Sequence, residues 1–138
     1  MRRLIVVGML LLVAGLAACT GEGTDDVRTV DVTMTDDLRY DPDELRVSAG
    51  ETVRFVIRNA GADVHEFLVG TAEEQAVFAQ EMADEHGGGH ADDAGVSVDP
   101  AETAEFSYTF DVLDDVLIGC HQPGHYDGGM VGRVSVES

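Results

Sequence analysis

Cys120, His125 and Met130 stand in one stretch, Cys120-His121-Gln122-Pro123-Gly124-His125-Tyr126-Asp127-Gly128-Gly129-Met130, at the spacing Cys-x4-His-x4-Met. His65 lies about 55 residues earlier. A thiolate, two imidazoles and a long, weak thioether are the donor set of a mononuclear copper centre that passes single electrons. Cys and His hold both Cu(I) and Cu(II), so neither oxidation state forces the centre to rebuild, and the soft thioether favours Cu(I). Pro123-Gly124 and Gly128-Gly129 give the loop two tight bends, which let three side chains converge on one point. Each residue also has a plainer meaning by itself: His65 as a structural strand histidine, Met130 as core, Cys120 as a small buried side chain. The joint pattern is what points to one copper ion held by His65, Cys120, His125 and Met130. Zinc also takes Cys and His, but a structural zinc site has little use for Met.

The neighbours of these residues carry expectations of their own. Glu66 and His121 adjoin candidate ligands, and strand alternation turns His121 away from the metal, so both are expected behind the ligands, with a surface titratable group the alternative for His121. Glu66 cannot donate a hydrogen bond when ionised, so a brace on the Cys120 sulfur must come from backbone N–H groups. His86 and His90, with Met82 nearby, form a candidate accessory copper site in the run Glu85-His86-Gly87-Gly88-Gly89-His90-Ala91-Asp92-Asp93. The plainer meaning of that run is a solvated acidic loop.

The elements that must position these groups show a period of two. Val30, Val32 and Met34 alternate with polar residues, as do Val53, Phe55 and Ile57, then Phe106, Tyr108 and Phe110, then Val134 and Val136. His65, Phe67 and Val69 share one face of a further strand-like run, with Glu66 and Leu68 on the other. Half-buried strands alternate in this way. Turn signals separate them at Asp41-Pro42, Ala49-Gly50, Asn59-Ala60-Gly61, Asp99-Pro100 and Gly128-Gly129. Many short strands divided like this predict an all-β sandwich or barrel. One segment differs: Thr71-Ala72-Glu73-Glu74 reads as a capping box ahead of helix formers, predicting one short inserted helix around 72–85.

The chain opens Met1-Arg2-Arg3, then runs apolar from Leu4 to Ala18 and meets Cys19. A short basic start and an apolar run of about 15 residues describe an export signal, too short for the roughly 20 residues of a bilayer-spanning helix. Leu16-Ala17-Ala18-Cys19 resembles the lipobox of bacterial lipoproteins, which implies lipidation at Cys19. The expected organisation is therefore a signal over 1–18, a polar tether over 19–27 and one domain over 28–138. The protein is expected outside the cytoplasm, anchored by lipid to the outer face of the cytoplasmic membrane. With Cys19 lipidated, Cys120 is the one remaining thiol, so no intrachain disulfide can form. The chain has 27 acidic and 8 basic residues, a net charge of −19. Such a surface argues against nucleic acid and could steer a basic redox partner.

The Cys-x4-His-x4-Met loop, followed by Val131-Gly132-Arg133-Val134-Ser135-Val136, resembles the C-terminal end of plastocyanin-like cupredoxins with the ligand spacing of rusticyanin-like members. Tyr40-Asp41-Pro42, Val47-Ser48-Ala49-Gly50-Glu51-Thr52-Val53 and Asn59-Ala60-Gly61 are similar to the family's early strands. The segment Cys120-His121-Gln122-Pro123-Gly124-His125-Tyr126 is also similar to periplasmic cupredoxins linked to bacterial copper tolerance. The resemblance spans about residues 28–138. It implies a Greek-key β-sandwich, a type 1 (blue) copper site, and His125 as the ligand nearest the surface, where electrons leave. One departure is Glu66, where many blue-copper proteins carry an Asn beside the first His ligand.

The expected function is that of an electron carrier whose partner is a redox protein such as a cytochrome or oxidase. The alternative is a copper-tolerance protein that sequesters or transfers copper outside the cytoplasm. An enzyme is not expected. A nitrite-reductase arrangement needs further domains and a second copper, and a dinuclear oxidase-type centre needs a second loop Cys.

Overall fold

The strand alternation is realised as two facing sheets. The computed structural model describes residues 27–83, 94–111 and 113–138. The elements are β1 (Arg28–Thr35), β2 (Arg39–Asp41), β3 (Glu44–Ser48), β4 (Thr52–Asn59), β5 (His65–Gly70), α1 (Ala72–Ala83), β6 (Gly95–Val98), β7 (Thr103–Thr109), β8 (Val116–Gly119) and β9 (Val131–Glu137). One sheet has the order β2-β1-β4-β7 and the other β3-β9-β8-β5-β6. The pairs β1–β4 and β3–β9 are parallel, and the remaining neighbours are antiparallel.

The core lies between the sheets. Val53, Phe55 and Ile57 of β4 are buried against Phe67 and Val69 of β5, Phe106 of β7 and Val134 of β9. Phe55 packs on Phe67 with ring centroids 4.9 Å apart and on Phe110 at 6.5 Å. Each such side chain withdrawn from water contributes about 2–3 kcal/mol. That dense apolar slab makes a rigid support, since well-packed interiors yield little to local force.

β5 departs from half-burial, because all six of its residues are buried. It is flanked by β6 and β8 in the sheet, and its outer face is covered by α1, which packs on β5 and β8. The helix begins as expected. Thr71 Oγ1 accepts from the Glu74 N–H at 3.3 Å, and Glu74 Oε2 accepts from the Thr71 N–H at 2.7 Å, a reciprocal capping box. It runs to Ala83; residues 84 and 85 of the expected helix lie outside the described residues.

The register Leu68↔Gly119 and Gly70↔Leu117 brings the start of β5 and the end of β8 to the same end of the sandwich. His65 opens β5, Cys120 follows β8, and the 120–130 loop carries the chain on into β9.

Candidate metal centre

Two loops deliver the chemistry-bearing side chains. The first, residues 60–64, leads into His65 and is held by Asn59 at the end of β4. Asn59 is fully buried, and its Nδ2 donates to the carbonyls of Asp63 (2.8 Å) and Val98 (2.9 Å). Its Oδ1 accepts from the Gly61 N–H at 2.9 Å. The second loop follows Cys120 and is a chain of turns: His125 N–H donates to Gln122 O at 2.9 Å, Gly128 to Gly124 at 3.0 Å and Gly129 to Tyr126 at 3.0 Å. Met130 N–H donates to His125 O at 3.0 Å, and Cys120 N–H to Met130 O at 3.4 Å, closing the loop across its base. Gly124 and Gly129 turn with φ of +81° and +99°, a region where a side chain would be strained.

The result is a cluster of donors. One ring nitrogen of His65, the Cys120 Sγ and one ring nitrogen of His125 all lie within 4.8 Å of one another. His125 Nδ1 is 3.3 Å from the sulfur, and the two imidazole centroids are 5.0 Å apart. His65, Cys120 and Met130 are fully buried, whereas His125 is half-buried. Met130 is tied into the cluster through its main chain, which bonds both His125 and Cys120.

Of the two His65 ring nitrogens, Nε2 is engaged, 3.2 Å from Asp36 Oδ1. That leaves Nδ1, which is the one buried side-chain nitrogen or oxygen without a hydrogen-bond partner among the described residues. A buried polar atom left without a partner costs free energy and asks for a reason. A metal ion at the cluster supplies one. Nitrogen and sulfur donors exclude the hard, oxygen-seeking cations and fit a soft or borderline ion of the copper type.

The electrostatics agree with a metal-requiring thiolate. Burial first, and the nearby Glu66 carboxylate last, push the Cys120 thiol up to about 11, against the lowering effect of the Glu66 and Gln122 backbone N–H groups. The metal-free site therefore holds a thiol, and ligation must displace its proton. Asp36 is held below its ordinary value, chiefly by backbone N–H groups of Ala62 and Asp63.

The surroundings answer the expectations for Glu66 and His121. The Glu66 N–H donates to Cys120 Sγ at 3.4 Å, so the brace on the sulfur comes from the backbone. The Glu66 side chain acts elsewhere. It is buried, and its Oε2 accepts from the His121 N–H at 2.9 Å, fastening the loop to β5. His121 belongs to a network away from the donor cluster. Its Nε2 bonds Gln75 Oε1 at 2.8 Å, and its ring stacks on Tyr126 at 4.5 Å. His86, His90 and Cys19 lie outside the described residues.

Four contributors carried no functional expectation from the sequence. Tyr40 donates its hydroxyl to Glu66 O at 2.6 Å, steadying the peptide that braces the sulfur. Gln75 is the buried residue of α1, and its Nε2 donates to Leu68 O (2.9 Å) and Leu117 O (3.1 Å). Asn59 had a readable signal, since it continues the buried period of Val53, Phe55 and Ile57 with a polar side chain. Asp36, in a solvent-facing turn, had none.

Comparisons with known proteins bear on the fold and the family. A family model described as a cupredoxin-like domain matches residues 4–85, a stretch that contains His65 and ends before the 120–130 loop. The copper-resistant cuproprotein CopI of Rubrivivax gelatinosus is 40% identical over 116 residues, covering 84% of this chain and 70% of that protein. Auracyanin from Roseiflexus castenholzii superposes with a TM-score of 0.67 at 22% identity, over 80% of this chain and 97% of that one. Auracyanin A of Chloroflexus aurantiacus, a blue copper protein, gives a TM-score of 0.64 at 26% identity, over 79% and 98%.

Proposed function

The chain belongs to the cupredoxin-like family, and from that premise we propose that it is an exported copper-tolerance protein holding one copper ion through His65, Cys120, His125 and Met130. The observation that carries this reading is the buried cluster of His65, Cys120 and His125 donors, with the His65 Nδ1 left without a hydrogen-bond partner. The name of the 40%-identical relative supports the tolerance role. Copper bound there supplies one-electron Cu(I)/Cu(II) chemistry.

The protein's own residues do the rest. The Glu66 backbone N–H, held in place by Tyr40, donates to the sulfur and stabilises its anionic form. The 120–130 turns and the sandwich behind them hold the donors in one arrangement, which limits reorganisation between oxidation states. Burial keeps water from the Cys120 sulfur and protects it from oxidation. The export signal over 1–18 and the lipid anchor at Cys19 belong to this proposal, and they set the protein to meet copper at the outer face of the cytoplasmic membrane. It acts as a binder rather than an enzyme.

One observation favours a second reading, that of electron carrier. Of the clustered donors, His125 alone is only half-buried, so it offers a short route from the site to a docked redox protein.

The test is a visible absorption and EPR spectrum of the full chain loaded with Cu(II), beside Cys120→Ser, together with copper sensitivity of cells lacking the gene. An intense thiolate-to-copper band lost in the variant, and copper sensitivity restored to normal by the wild-type gene alone, are the expected results. A pale spectrum unchanged by Cys120→Ser sinks the four-ligand centre. Normal copper tolerance in the deletion strain, with fast electron exchange in vitro, turns the choice to the carrier.

A further inference from the structure

We propose that Asp36 is a positioning residue for the metal centre: its carboxylate holds His65 in the tautomer and orientation that leave Nδ1 free for the metal, and its charge favours the oxidised ion. The inference rests on the reading of His65 as a ligand and adds a residue that no sequence signal pointed to.

Asp36 lies in the turn between β1 and β2, 29 residues before His65. Its carboxylate is held by three donors, two N–H groups of the 60–64 loop and the imidazole that follows it. Oδ2 accepts from the Ala62 N–H at 2.8 Å, and Oδ1 accepts from the Asp63 N–H at 3.3 Å and from His65 Nε2 at 3.2 Å. An ionised carboxylate can only accept, so the His65 ring must carry its hydrogen on Nε2. A neutral imidazole has one N–H, and the Nδ1 lone pair is then necessarily free. Nδ1 is the buried atom left unpartnered.

The packing makes the contact a built one. A Cβ placed at Gly61 would collide with the Asp36 carboxylate and would lie 3.0 Å from His65 Nε2. The loop can bring its N–H groups and the imidazole to one carboxylate because residue 61 has no side chain. Asp36 itself is 45% exposed at its side chain while His65 is fully buried. Water therefore solvates the charge on one side, and the imidazole meets it on the other. Carboxylate partners of this kind fix ring orientation and raise the basicity of a ligating histidine. A negative charge one imidazole away from the metal stabilises the higher charge of the oxidised ion, so it lowers the reduction potential.

The competing view is that Asp36 merely caps the 61–63 loop through Ala62 and Asp63. Full-length wild type, Asp36→Asn and Asp36→Ala separate the two. In the metal-free proteins, nitrogen-15 NMR reads the His65 tautomer directly; in the loaded proteins, competition titration reads Cu(II) affinity and voltammetry the potential. Wild type is expected as the Nε2–H tautomer, and Asp36→Ala as a mixture with Cu(II) affinity reduced by about 10- to 100-fold. Asp36→Asn keeps an acceptor and the tautomer but loses the charge, so its potential is expected to rise with a smaller loss of affinity. An Asp36→Ala protein with the wild-type tautomer, affinity within about twofold and an unchanged potential overturns the proposal, even if it unfolds more easily. If the wild type lacks a Cys120-dependent copper band, the reading of the centre fails, and the His65 tautomer in the metal-free variants decides the Asp36 claim alone.

Discussion

At the scale of the residue, Cys120 shows how burial prepares the proposed thiolate donor. Its thiol is raised from 9.0 to about 11 by desolvation, while backbone N–H groups favour the anion and prevent a larger rise. In the unfolded chain the same thiol ionises near 9. Below pH 9 both states are protonated and the metal-free fold is unaffected; as pH rises from 9 through 11 the unfolded state loses its proton first, so stability falls. Two units correspond to about 3 kcal/mol. Urea unfolding of the metal-free protein should therefore weaken by about 2 kcal/mol between pH 9 and 11, approaching the full amount only above pH 11, beyond any loss seen in Cys120→Ala. An identical pH profile in both proteins would contradict the assignment. The same thiol predicts the metal side of the balance. Each copper bound near neutral pH displaces one proton from Cys120, so apparent affinity should rise about tenfold from pH 7 to pH 8 through this group, and Cys120→Ser should remove that slope.

Elements decide whether those residues meet. α1 buries little apolar surface, with Gln75 its buried side chain, so the helix is attached by hydrogen bonds more than by packing. Gln75 bonds the carbonyls of Leu68 and Leu117 and the His121 ring, linking β5, β8 and the start of the 120–130 loop. Gln75→Ala is expected to destabilise by about 3 kcal/mol, since buried partners lose their bonds. Thr71→Ala, which removes one cap bond at the exposed end of the same helix, should cost about 1 kcal/mol. Thermal unfolding of both variants checks the ranking; equal effects would mean that the helix is held by its cap alone. Asn59 acts likewise on the other loop, where one buried amide satisfies three backbone groups ahead of His65.

Over the whole molecule, two sheets form the rigid body and the His65, Cys120 and His125 donors gather at one end of it, while the chain is strongly acidic at a net charge of −19. Long-range attraction between such a surface and a basic partner is screened over about 10 Å at 0.1 M salt. Electron exchange with a positively charged redox protein should accordingly slow about tenfold or more between low and moderate ionic strength. Stopped-flow measurement over a salt series checks this. A flat series would remove steering from the account and leave the acidic surface as a solubility feature.

The sequence by itself determined the parts of this protein that depend on residue type and short-range spacing. Period-two alternation marked the strands, Thr71 to Glu74 marked the helix start, and Cys-x4-His-x4-Met marked the loop, because each follows from local geometry along the chain. The demand for a backbone brace on the sulfur was also legible, since a Glu66 side chain cannot donate when ionised. Only the tertiary structure decided which polar groups steady the donor cluster. Tyr40, Asn59 and Gln75 act across 26, 39 and 42 residues, and Asp36 reaches His65 across 29. Those contacts arise where strands distant in sequence are brought side by side and a carboxylate in one turn meets an imidazole in another. The alternation of a single strand carries no information about its neighbours, so the partners of His65 and Glu66 had to come from the fold.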